Sequence, residues 1–110
     1  MEKLNLVRQF SAFHNLNEKN RLDDKNLKAS AIALYMTLLG IANAASHEGG
    51  VNQTVTVDNK RLMSAAGIGS NHTLAAYRKE LIEQGLIVYK KGGLKNDKRV
   101  SGEYTLVKLY

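Results

Sequence analysis

His72, Ala76 and Lys79 fall on the outer side of one helix at about 100° per residue, with Asn71 and Thr73 beside His72 in its first turn, and their chemistry suits base edges and phosphates. An asparagine amide can pair with adenine N6 and N7, and a histidine can donate to guanine N7 or O6. Alanine is small enough to touch a thymine methyl, and a lysine can reach a base or a phosphate. Arg78 lies nearer the apolar side of the same helical wheel; its guanidinium could fold out to a phosphate, or its stem could cover the core. Further cations stand at Lys60 and Arg61, and again at Lys91, Lys95, Lys98 and Arg99. The three histidines are scattered, without a nucleophile, carboxylate partner or metal-ligand spacing beside them. The expectation is therefore a binding protein rather than an enzyme, with no catalytic residue, metal or cofactor.

Two short helices would position the first group. The stretch 58–86 reads as a helix from an Asp58 or Asn59 cap to about Ala66, a turn at Gly67-Ile68-Gly69, and a second helix capped by Ser70. Leu74, Tyr77, Leu81 and Ile82 fall on the second helix's apolar side. An ordinary helical hairpin with a wet outer face fits this pattern too. The residues after the hairpin favour the DNA reading. Residues 85–91 leave the helix at a glycine and become β-branched, 92–99 form a glycine-led, highly charged loop, and 102–109 are strand-like again. Two strands around a basic loop after a recognition-type helix make a winged helix-turn-helix.

At 110 residues the chain is expected to form a single domain, 1–110, and its lack of cysteine suits a reducing cytoplasm. The net charge of +6 is uneven: residues 1–57 hold six Lys/Arg against five Asp/Glu, and residues 58–110 hold ten against five. A basic excess in the half with the hairpin and loop favours a polyanionic partner. The N-terminus has an early acid and no apolar run, so it is no secretory signal. Residues 29–46 carry no formal charge but include Ser30, Thr37, Gly40 and Asn43, so a buried helix is expected rather than a membrane span.

Leu4, Val7, Phe10, Phe13 and Leu16 predict an N-terminal helix over 4–17 with a narrow apolar stripe, and 17–26 reads as a loop. A longer helix over 28–45 is apolar on two sides, and its second side could take the N-terminal helix or a partner subunit. Tyr35 is expected as a core aromatic with a wet hydroxyl. Residues 54–57 suggest a third, edge strand. The expected class is α+β, mainly α: a winged helix-turn-helix with an extra N-terminal helix and a small antiparallel wing sheet.

The chain resembles the N-terminal domain of phage replication-initiation proteins of the DnaD-like, replisome-organiser type. The likeness lies in LVRQFSAFHN, SAIALYMTLLGIAN, LMSAAGIGSNHTLAAYRKELIEQGLIVYKKGG and SGEYTL, which keep the family's order over most of the chain. The resemblance implies double-stranded DNA binding at a phage origin in a bacterial host cytoplasm, often with self-association. It also implies a longer protein whose further C-terminal region engages the host helicase-loading machinery. A serine-type helix cap is expected near position 28, where this sequence has Lys28. A transcriptional regulator of the same fold, or a protein–protein interaction module, are the alternative readings.

Overall fold

The computed structural model describes residues 3–22, 27–44, 51–95 and 98–110, with the backbone alone at 95, 98 and 99. Its centre is a helix that alanine and leucine favour strongly, α2 (Ala29–Ala44). Ala31, Leu34, Tyr35, Leu38, Leu39 and Ala42 are buried along it, too broad a set for one narrow stripe. α2 meets α3 (Asn59–Ala66) and α4 (Asn71–Glu83), and it also touches the strands β2 (Val51–Asn52) and β3 (Thr54–Val57). Among the described residues no helix is long and apolar enough to cross a membrane.

The missing serine cap has a tertiary replacement. The Lys28 carbonyl accepts from the amides of Ala31 at 2.9 Å and Ile32 at 3.1 Å, as an N-cap residue's does. Its own N–H donates to Glu80 Oε1 of α4 at 2.9 Å. The start of α2 is thus tied to α4.

The N-terminal region differs from expectation. Leu4 belongs not to a helix but to a two-residue strand, β1 (Lys3–Leu4), paired antiparallel with β2. The next helix, α1 (Leu6–Leu22), continues through much of the expected loop. Its buried positions are Gln9 and Phe13, with Leu6 and Leu16 partly covered. With Leu4 outside the helix, 6, 9, 13 and 16 set the phase. Val7 and Phe10 then point away from the core, 72% and 46% exposed. α1 packs on α2 within the chain: the Phe13 and Tyr35 rings stack at 4.2 Å. The Tyr35 hydroxyl is not wet; the residue is buried and its hydroxyl accepts from Gln9 Nε2 at 2.9 Å.

The helical hairpin obeys its local signals. Asp58 caps α3, accepting from the Arg61 amide at 2.7 Å. Gly67 takes φ +71°, a left-handed conformation that glycine adopts without steric cost, and its N–H closes on the Met63 carbonyl. Ile68 is buried beneath the turn. In α4, Leu74 and Leu81 are buried and Tyr77 is half-buried, but Ile82 is 42% exposed. The inward side is centred on 74, 77, 78 and 81, which leaves Ile82 at its edge.

β4 (Ile87–Lys90) and β7 (Gly102–Leu106) leave and re-enter the core as an antiparallel pair, with β3 on the far side of β7, giving the order β3-β7-β4. The expected edge strand is present and is held partly by the Thr54 and Thr105 hydroxyls at 3.2 Å. The charged stretch expected as a loop is itself a ladder, β5 (Gly93–Lys95) against β6 (Lys98–Val100). Helix, strand, helix, helix and a two-stranded wing form the winged helix-turn-helix, to which α1 is added.

Candidate nucleic-acid interface

Ser70 begins the outer face of α4. Its Oγ accepts from the Thr73 amide at 3.1 Å and donates to Thr73 Oγ1 at 2.8 Å, so both hydroxyls are engaged in the cap. The cap fixes where the first helical turn starts, and Asn71 and His72 stand exposed in that turn. Ala76 and Lys79 are exposed further along. The Lys79 ammonium lies 3.8 Å from Glu83 across one turn, both side chains mostly exposed. Such a pair is held weakly in water, and an incoming phosphate can replace the carboxylate.

A cleft of about 840 Å³ separates this first turn from the wing. Lys60 from α3, Asn71 from α4 and Lys91 from the wing's base line it together. The Asp58 carboxylate is also at its wall, engaged on the Arg61 amide. Arg61 itself is exposed. Asn59, Tyr89 and Ser101 line the cleft as well, and sequence reasoning misses all three. Asn59 has a signal, its place next to the cap; the other two depend on how the strands fold over.

The wing's base is narrow. A Cβ on Gly92 would fall on the Val100 carbonyl oxygen and the Ser101 carbonyl carbon, so the glycine permits a backbone crossing that no side chain allows. Past it, β5 and β6 carry Lys95, Lys98 and Arg99 into the hairpin, with Lys95 and Lys98 as direct partners in the ladder. The side chains of these three lie outside the described residues. Leu94, between the glycines and Lys95, is 80% exposed.

Arg78 is placed differently from its neighbour Lys79. It is half-buried, its Cζ 4.1 Å from the centroid of the Tyr89 ring, and its Nη1 donates to the Tyr104 hydroxyl at 3.0 Å. Burial pushes the Tyr104 hydroxyl above the ordinary tyrosine pKa, and the hydrogen bond and charge of Arg78 pull partly against that. Of the two roles open to Arg78, this geometry takes the inward one.

No family model matches the chain, and no curated protein is significantly similar to it. A solved structure described as that of a Rep–DNA complex is similar, with a TM-score of 0.57 and 25% sequence identity. The similarity covers 78% of this chain and 65% of the neighbour's.

Proposed function

We propose that the chain is a duplex-DNA-binding winged helix acting in replication initiation, by recognition of an origin. The observation that carries the reading is the joint exposure of Asn71, His72, Ala76 and Lys79 on a capped helix beside a cleft holding Lys60 and Lys91. The similarity to a Rep–DNA complex supports DNA as the partner. The likeness of the quoted sequence stretches to phage initiators supports replication over promoter control. It also supports a place for this domain at the N-terminus of a longer protein that reaches the helicase-loading machinery.

In this account α4 enters the major groove, with Ser70, Asn71, His72 and Thr73 in the turn that approaches base edges. Ala76 and Lys79 come next along the groove. Lys60, Arg61 and Lys91 hold the adjacent backbone, and Lys95, Lys98 and Arg99 take phosphates from the wing. Backbone contacts set register and most of the affinity, while base contacts set the sequence.

Neutralising Lys95, Lys98 and Arg99 tests this. Affinity for cognate and random duplex should fall together. The slope of log K against log salt should flatten by about 0.9 for each phosphate that the wing no longer neutralises. An unchanged slope with all three charges removed would take the wing off the DNA. Binding that ignores salt in the parent protein would favour a hydrophobic interaction module.

A further inference from the structure

Arg78 joins α4 to both strands that lead into the wing. Tyr89 of β4 and Tyr104 of β7 are direct partners in the ladder, their ring centroids 4.8 Å apart. The guanidinium lies over the first ring and hydrogen-bonds the hydroxyl of the second. Tyr104 is fully buried, so its hydroxyl is a fixed anchor out of reach of any ligand. Gly102 keeps the space for Tyr89: a Cβ there would stand 2.8 Å from Tyr89 Cε1 and 3.0 Å from its hydroxyl. A planar guanidinium can lie over one ring and donate to the hydroxyl of the other from one rigid group; an ammonium on a flexible, strongly hydrated stem holds such a double contact less firmly. The same Tyr89 lines the cleft between α4's first turn and the wing.

We propose that Arg78 is a positioning residue that fixes the angle between α4 and the wing through Tyr89 and Tyr104. The inference rests on the duplex-binding reading, in which α4 must lie in the groove while the wing lies on the neighbouring backbone. Loosening the angle leaves each part able to touch DNA, but not both on one duplex at the lowest energy. Arg78 therefore governs affinity without itself touching a phosphate.

Charge and geometry are separable by substitution. Arg78→Lys keeps the charge and loses the planar group that meets both tyrosines; Arg78→Gln loses both. A positioning role makes the two variants alike, each weakening cognate duplex on the order of tenfold, a change equal to about 1.4 kcal/mol. A phosphate contact gives the opposite pattern: Arg78→Lys close to the parent protein, and Arg78→Gln with a salt slope lower by about 0.9. Tyr104→Phe is a milder third variant that keeps every charge and alters only a buried hydroxyl. It should weaken binding in the same direction, and its effect should not add to that of Arg78→Gln, because both remove one contact.

Residual dipolar couplings of backbone amides in the DNA-free protein give the second readout. The parent protein should fit one orientation for α4, β4 and β7, whereas Arg78→Gln should require a separate orientation or averaging for the wing. Parent-like affinity in both Arg78→Lys and Tyr104→Phe would overturn the proposal, as would an unchanged α4–wing orientation in Arg78→Gln. Failure of the duplex reading would look different: the parent protein itself would lack salt-dependent binding, while the couplings would still decide whether Arg78 sets the angle.

Discussion

Replacing Gln9 with leucine should destabilise the protein far more than a surface-helix substitution, although the new side chain is apolar and of similar size. Gln9 is fully buried and closes three hydrogen bonds to separate parts of the chain. Its Nε2 donates to the Tyr35 hydroxyl at 2.9 Å and to the Val107 carbonyl at 2.8 Å, and its Oε1 accepts from the Leu109 amide at 3.1 Å. Gln9→Leu strands all three partners. The Tyr35 hydroxyl is wholly buried, so it should carry the full cost of an unsatisfied polar group, about 1–3 kcal/mol. Val107 and Leu109 are only partly buried, water can reach them after small shifts, and each should cost nearer ~0.5–1.5 kcal/mol. Partly offset by the apolar gain of leucine, the net loss should be roughly 2–5 kcal/mol, a large share of the ~5–15 kcal/mol typical of a domain. Tyr35→Phe strands one buried Gln9 Nε2–H but leaves its two bonds to the backbone, so it should cost about 1–3 kcal/mol, less than Gln9→Leu. Thermal unfolding by circular dichroism compares the two: Gln9→Leu should lower Tm on the order of 10–20 °C, and Tyr35→Phe by roughly half as much. A Gln9→Leu variant melting with the parent protein would refute the reasoning, since it would mean the stranded groups find water at no cost.

Leu81→Ala should cost roughly 2–5 kcal/mol through reduced transfer energy and the cavity left behind, because Leu81 is fully buried on α4; denaturant unfolding checks it. Alkaline pH gives a separate test. Burial raises the Tyr35 and Tyr104 hydroxyls above the ordinary tyrosine value near 10, opposed at Tyr35 by the Gln9 hydrogen bond and at Tyr104 by Arg78. Folding therefore favours their neutral form. That stability is complete below the unfolded pKa and drains away as pH rises through the folded values. Phenolate absorbance, assigned with Tyr35→Phe and Tyr104→Phe, should show these two titrating above the ordinary value, with Tm falling over the same range. Titration of Tyr35 and Tyr104 at the ordinary pKa, with the fold intact, would contradict their burial.

The helical hairpin is legible in the sequence because its signals are local. Asp58, Gly67 and Ser70 each act on amides or carbonyls within a few residues, and the structure has them capping and turning as their types suggest. The exposed positions 71, 72, 76 and 79 share that phase. The features that escape the sequence depend on partners far along the chain. Gln9 looks like a surface residue until Tyr35, Val107 and Leu109 converge on it. Lys28 looks like a poor helix start until Glu80 arrives from α4. Arg78 sits at the margin of the wheel, and only the cross-strand register of Tyr89 and Tyr104 draws it inward. The cleft that unites Lys60, Asn71 and Lys91 likewise exists only after β4 and β7 fold back beside α4. The wing's charges can be read, but its ladder cannot, because glycines and charges read as a loop when pairing is out of view.

The central claim is that the first turn of α4 reads base edges. Its most direct measurement is the ratio of cognate to random duplex affinity at one salt concentration, with the cognate site found by selection from random DNA. Both side chains are exposed, so the Asn71→Ala, His72→Ala double variant should keep its fold. Cognate affinity should fall by about 1–3 kcal/mol for each base left unread, while random duplex, held by the wing and backbone lysines, is bound nearly as before. A collapsed ratio is the predicted result. An intact ratio, with both affinities unchanged or falling in parallel, would contradict the account, because the sequence would then be read elsewhere or not at all.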